Sequence, residues 1–380
     1  VTKSKSRTLK IILLGFSVVA AVYLWLCYSA WNTIMDNCEG DIYLAVVFYH
    51  AGAKPEAVGE YLSSALTRSK NINTVADTLY NACTAFEEGD QEKNDAEALI
   101  DAVLTHQPNN AEFHALYGKI FEKSLDSSPG ELAALIEFER AKAMGLKTME
   151  LYHSIASSMW FLETEPLDEE DKTKNKLVNP LLRRLNEEFK INEDNLGAAL
   201  DAELDEALKS YPYSPQLLQL RATQAALEAM NDKGKQRWQS CLADCHTLAN
   251  LRHPQMVPTE IYDPTQYESP RLNLESYALY ALGDKKGSLE KAKQAFAGVM
   301  ALAEKENSLS EKNFAYATLA DYYMFIDEFD KAADCLKNVQ VGDHSAEEGS
   351  FRETISKESL QELLTSCKNR THWLPTFPNP

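Results

Sequence analysis

Glycine is scarce in this chain, 15 of 380 residues, and no glycines gather into a phosphate-cradling turn between a strand and a helix. No GxSxG motif occurs either. These gaps remove the sequence signatures of the α/β-hydrolases, the P-loop enzymes and the dinucleotide-binding folds. "GDKKGS" at 283–288 reads as an inter-helix turn. β-branched runs of alternating polarity are nearly absent, so there is little from which to build a sheet. Metal-site patterns are missing as well: there is no CxxC, HxxxH or HExxH, and the eight histidines are scattered. The acid-dense "DEEDKTKN" stretch lacks the central glycine and terminal glutamate of a calcium loop. Asp201 and Asp205 lie one helical turn apart, as solvated side chains on a polar face.

Positive charge is also in short supply. Of the 38 basic residues, Lys3, Lys5, Arg7 and Lys10 precede the first apolar run, so the remaining 34 face 57 acidic residues, a net of −23. A surface that negative repels nucleic-acid phosphates and anionic lipid heads, which excludes nucleic acid as a partner and points to proteins or cations. With 44% hydrophobic residues the chain still has ample material for a core.

What is present begins with Ile11–Ala30, "IILLGFSVVAAVYLWLCYSA", twenty residues without a charge. As a helix rising about 1.5 Å per residue it matches a hydrocarbon core about 30 Å thick. Tyr23, Trp25, Tyr28 and Trp31 crowd its far end and basic residues its near end, which predicts a cytoplasmic N-terminus. No small-x-small cleavage site follows the run, so it is expected to be a retained anchor rather than a cleaved signal. The expected localisation is the bacterial inner membrane, single-pass, with the bulk of the chain in the periplasm.

Cys27 lies in the anchor, leaving Cys38, Cys83, Cys241, Cys245, Cys335 and Cys367 in an oxidising compartment on that topology. Proximity in sequence suggests Cys38 with Cys83 and Cys335 with Cys367, out of fifteen pairings. "CLADCH", 241–246, invites comparison with covalent haem attachment, in which two thiols are followed at once by a histidine, although three residues rather than two separate the cysteines. Cys241, Cys245 and His246 are therefore the haem c candidates. "NRT" at Asn369 is a glycosylation acceptor only in a eukaryotic secretory pathway.

Beyond the anchor, apolar residues recur at three and four, which predicts helices throughout. In "YATLADYYMFIDEFDKAADCL" the order Tyr316, Leu319, Ala320, Tyr323, Phe329, Ala332, Leu336 sets large against small and aromatic positions, and that spacing resembles the tetratricopeptide repeat (TPR), a 34-residue helical hairpin. In the same register Ala96, Ile100 and Val103 close one hairpin and His114, Tyr117, Gly118 and Phe121 open the next, which Ala134, Phe138 and Ala141 close. Tyr152, Ile155, Ala156 and Met159, then Leu204 and Ala207, and Leu218, Ala222 and Ala225 continue the pattern, and Leu44, Ala45, Phe48, Ala57 and Tyr61 begin it. The resemblance implies an all-α fold, a transmembrane helix followed by an α-solenoid, similar to membrane-anchored periplasmic TPR proteins.

The expected organisation is a basic tail and anchor at 1–35, repeats at 36–165, a charged linker at 166–196, repeats at 197–345, and a C-terminal helix with a Pro/aromatic tail at 346–380. Four prolines in 252–271 are expected to forbid continuous helix there. The tail's Trp373 and Phe377 are expected to dock on this chain or a neighbour. In the same register, if Pro254 closes a hairpin, Leu242, His246 and Ala249 take the packing positions of its second helix. The resemblance places partner binding on first helices, giving His153, Trp160, Phe161, Phe314, Asp321, Met324 and Phe325 as groove candidates. The expected function is a membrane-anchored scaffold that binds and positions proteins, an accessory or assembly subunit of a membrane or envelope complex, with no cofactor and no catalytic residues. A haem-carrying redox subunit and a helical hydrolase or transglycosylase are the alternatives.

Overall fold

The computed structural model describes residues 38–86, 95–124, 128–165, 167, 176–232, 234–256, 263–306, 308–340 and 357–370. The anchor at 11–30 and the tail at 371–380 lie outside them. Among the described residues there are sixteen α-helices and no strand. No described helix is long and apolar enough to cross a membrane. The chain divides into two compact units, Val1–Glu193 and Asp194–Pro380.

The first unit holds α1 (Cys38–His50), α2 (Pro55–Ser69), α3 (Ile72–Phe86), α4 (Asp95–His106), α5 (Ala111–Ser124), α6 (Ser128–Ala143), α7 (Met149–Thr164) and α8 (Val178–Phe189). Sequential helices pack as pairs, α1 on α2, α3 on α4 and α5 on α6, while α1, α3 and α5 also touch in series. Neighbour and next-neighbour contact of this kind is how a helical repeat array buries its faces. The helix starts are set locally. Thr148 accepts from the Leu151 amide at 3.2 Å at the start of α7, and Asn71 Oδ1 takes the Thr74 amide at 3.1 Å ahead of α3.

A long-range cap fixes α3 as well. The Glu150 carboxylate on α7 accepts the Asn73 amide at 2.8 Å and the Ile72 amide at 3.2 Å. Two amides orphaned at the helix start thus meet a negative charge at the positive end of the macrodipole.

The second unit holds α9 (Leu196–Ser210), α10 (Pro215–Asp232), α11 (Lys235–Ala249), α12 (Pro264–Leu282), α13 (Lys285–Glu306), α14 (Leu309–Phe325), α15 (Phe329–Leu336) and α16 (Lys357–Asn369). Here α10, α12 and α14 touch in series and each packs on the helix that follows it. These are the helices the repeat register makes first in their hairpins. A serine cap starts α14, with Ser308 Oγ accepting from the Glu311 amide at 3.2 Å. Gly283, at φ +103°, ends α12 in the left-handed region that favours glycine.

Three sequence expectations need correction. The charged linker of 166–196 contains α8, which packs on α6, because "LLRRLNEEF" is amphipathic and buries Val178 and Leu185. The Pro/Tyr stretch of 252–271 is helical from Pro264 onward. Pro264 sits in the first turn, where a missing amide costs nothing, behind an Asp263 cap, and the interior Pro270 removes one hydrogen bond from a helix otherwise held by its neighbours. The cysteines expected to pair are free thiols: Cys38, Cys83, Cys335 and Cys367 form no disulfide. Each expected pair nonetheless shares a core, Cys38 packing on the cluster that buries Cys83, and Cys335 lying in one cluster with Cys367.

Glycine sets a close approach between α5 and α6. A Cβ built on Gly118 would stand 2.4 Å from Phe138 Cε1, so only glycine lets these helices come so close. Gly118→Ala should cost about 1–3 kcal/mol through forced repacking, read as a lowered urea midpoint, and pairing it with Phe138→Leu should recover part of the loss.

Candidate functional site

Among the described residues acids are buried and lysines and arginines are not. Asp41, Glu137, Glu150, Glu203, Asp244, Glu275, Glu311 and Asp321 are all buried, whereas no lysine or arginine is among the described buried residues. Buried carboxylates are tolerated when charge and hydrogen bonds meet them. Here they join helices.

In the first unit the junction is Glu137 on α6. Its Oε2 lies 2.6 Å from His114 Nδ1 on α5, and Arg140 Nη1 donates to its Oε1 at 3.0 Å. His114 Nε2 faces the Pro108 carbonyl at 2.9 Å. With an acceptor at both nitrogens, the imidazole is held as a cation donating two hydrogen bonds. Burial alone would lower its pKa, but Glu137 and the Pro108 carbonyl outweigh burial and raise it. Outward, Arg140 forks onto Glu188 of α8 at 2.7 and 3.0 Å, and Arg184 reaches the same carboxylate at 2.9 Å. This ladder ties α8 to α6. Glu188 is lowered by these two guanidiniums despite an opposing desolvation. Above the ladder opens a cleft of about 310 Å³ lined by Thr105, Tyr117, Phe121, Ile136, Leu181 and Arg184, among others. Its walls mix apolar side chains with the buried Glu137 and His114 and the half-buried Arg140 and Arg184.

The second unit repeats the device at Glu275 on α12. Arg271 and Lys291 stand 2.9 and 3.1 Å from its Oε2, and His246 Nε2 of α11 is 3.6 Å from Oε1. Asp244, nearby on α11, receives a forked pair from Arg221 of α10 at 2.9 and 2.7 Å.

This arrangement decides the "CLADCH" question. Cys241 and Cys245 are fully buried beside Trp238 and Leu248, while His246 is exposed on the opposite side of α11. The expected packing positions Leu242, His246 and Ala249 are therefore one residue out of register. The two thiols contact each other, and that hydrogen bond, with burial, pushes Cys245 well above the usual thiol range. Thiols sealed in a core and an imidazole at the surface cannot serve one macrocycle.

The groove candidates divide. Asp321, Met324 and Trp160 are buried, and His153, Phe161, Phe314 and Phe325 are half-buried. Phe325 is surrounded by the rings of Tyr277, Tyr280 and Trp238 at 4.8, 5.7 and 6.0 Å. Met324 accepts from the Cys367 thiol at 3.6 Å, and Phe314 lines a small apolar cavity of about 20 Å³ between α12, α13 and α14. In the last repeat these side chains are core. His153 on α7 is desolvated and repelled by Lys119, and falls to about 4. Sequence reasoning missed the Glu137–His114 junction because nothing in a lone histidine's spacing says which carboxylate will reach it.

No protein-family model and no curated protein matches the chain. Among solved structures it is similar to the TPR domain of P58(IPK), at 13% identity over 90% of this chain and 91% of that one, with a TM-score of 0.25. The repeat-like character lies in the packing within each unit.

Two histidines of the first unit, His114 and His153, should bend its stability in opposite senses. His114, raised in the fold, contributes stability that is whole below about pH 6.5 and fades as pH rises through its folded value. His153 stays neutral in the fold down to about 4 while the unfolded chain takes up a proton below about 6.5, so stability falls with pH across that window, by at most about 3 kcal/mol and less for the part at solvent. Urea midpoints between about pH 4 and about pH 9 should lose the alkaline slope in His114→Gln and the acid slope in His153→Gln. In the unmodified protein, Cys241 and Cys245 should react with a thiol reagent only on unfolding. Rapid native labelling of both would contradict the core described above.

Proposed function

We propose that this chain is a membrane-anchored scaffold that binds and positions protein partners, serving as an accessory or assembly subunit of a membrane or envelope complex. The observation that carries the reading is the packing pattern. Each unit stacks helix pairs in series, an architecture whose broad faces are suited to holding extended or helical segments of other proteins. The reading gives the chain no catalytic chemistry.

The anchor is Ile11–Ala30, with the acidic units outside the cytoplasmic membrane. Tethering confines encounters to two dimensions and raises the effective concentration near a membrane partner, so modest affinity suffices. The partner-facing surface favoured by the geometry is the α4/α5/α6/α8 cleft rather than the aromatic positions of α14, which are occupied by the neighbouring helices. Its apolar liners accept a side chain or two, and its arginines and carboxylates orient the main chain around them.

A photo-cross-linking residue placed in cells at Phe121, in the cleft, tests this directly. It should trap a membrane or envelope protein, while the same residue at Ala243, exposed on α11, should trap little. Equal trapping at both positions, or recovery of the chain uncoupled to any protein, would sink the scaffold reading.

A further inference from the structure

The first described helix has two apolar faces and only one of them is covered. Ile42, Ala45 and Val46 are wholly buried in the core of the first unit. On the other side Tyr43 and Val47 are each 44% exposed and Phe48 is 37% exposed. Leu44 and Ala51 flank them on one side, and the exposed Glu39 and His50 bound the strip on the other. Among the described residues eight large apolar side chains stand out as exposed, and three of them fall within these six positions of α1.

The end of a repeat array normally turns a polar face to water. On α1 Glu39 and His50 are exposed, but Tyr43, Val47 and Phe48 interrupt that face with an open apolar patch. Something covers it. The sequence restricts what that is, because only the seven residues 31–37 separate Ala30 from Cys38. They reach at most about 25 Å even when fully extended.

Resting on the reading that Ile11–Ala30 spans a bilayer, we propose that the uncovered face of α1 lies against the outer surface of that bilayer, with Tyr43, Val47 and Phe48 set among the lipid headgroups. The chemistry suits the site. Tyrosine and phenylalanine rings favour the headgroup boundary, and an interfacial helix sinks its apolar face only a short way into it. Phe48 is already stacked on Tyr61 of α2 at 5.2 Å and 11°, so the patch is preorganised. Between Tyr43 and Phe48 the strip carries no carboxylate; Glu39 borders it one turn earlier, and the exposed Lys54 follows it in the turn to α2. The short tether keeps the lipid surface at hand, whereas a soluble partner would have to be captured from dilution. The consequence is that the first unit is held at a fixed attitude to the membrane instead of swinging on its anchor.

The test uses the full chain reconstituted into vesicles of phosphatidylethanolamine and phosphatidylglycerol doped with a photoactivatable lipid, with adducts mapped by mass spectrometry. Adducts are expected in Ile11–Ala30 and also at 43–48. The triple variant Tyr43→Ser, Val47→Ser, Phe48→Ser should lower the second set about tenfold and leave the first unchanged. Retained hydrogen-exchange protection at Ile42 and Val46 would show that the variant still folds. Adducts in Ile11–Ala30 with none at 43–48 overturn this proposal and leave the anchor standing. Absence from both segments overturns the anchor too. In native membranes, a cross-linker at Phe48 that captures another protein in place of lipid also overturns the proposal and makes the strip a protein interface.

Discussion

Close approach of paired helices at small side chains is the constraint from which the rest of this molecule follows. Gly118 lets α5 lie against Phe138 of α6, and fully buried alanines, among them Ala45, Ala134, Ala156, Ala222, Ala278 and Ala320, occupy comparable positions in other helices. Once a pair is that tight, its remaining apolar residues can only be covered by the next pair. Buried leucines and isoleucines such as Leu62, Ile100, Leu204 and Leu336 supply the dispersion and burial that hold each step. A glycine or alanine in these places therefore does more than fit a hole. It sets the distance at which the following helix must sit.

The acidic surplus is put to structural use within that frame. Glu150 closes the start of α3 from α7, Glu137 gathers α5, α6 and α8, and Glu275 gathers α11, α12 and α13. Each carboxylate faces donors from at least one other helix, so it discriminates between correct and slipped stackings that apolar contacts alone would treat alike. The exposed remainder of the acids keeps a long array soluble and leaves the clefts as the places where aromatic and basic groups come together.

Much of the stacking was legible in the sequence, because the pattern of small and large residues at three and four is imposed by helix contact itself. Ala96, Ile100, Val103, Ala134, Phe138, Ala141, Leu204 and Ala207 are buried where the pattern puts them. What was not legible depended on partners remote in sequence. His246 and Cys245 are neighbours, and the difference of one residue between a packing face and a solvent face is decided by Tyr277 and Phe325 arriving from α12 and α14 beside the helix's own Trp238. Phe314, Met324 and Phe325 look like groove residues until α12, α13 and α16 are in place around them. Helix α8 hid in a charged stretch because its anchoring partners lie far back in the chain, Arg140 standing 48 residues before Glu188. Periodicity records which side of a helix is covered, and only the assembled unit shows by what.

The central claim is that each unit is stabilised step by step between adjacent helix pairs. Native-state hydrogen exchange on the full chain in membrane mimetic, followed helix by helix in rising denaturant, tests it most directly. A serial array opens from its ends, so in the second unit α10 to α12 should hold protection after α15 and α16 have lost theirs. Simultaneous loss of protection through all the helices of a unit, or durable protection at α16 with early opening at α12, would contradict the account.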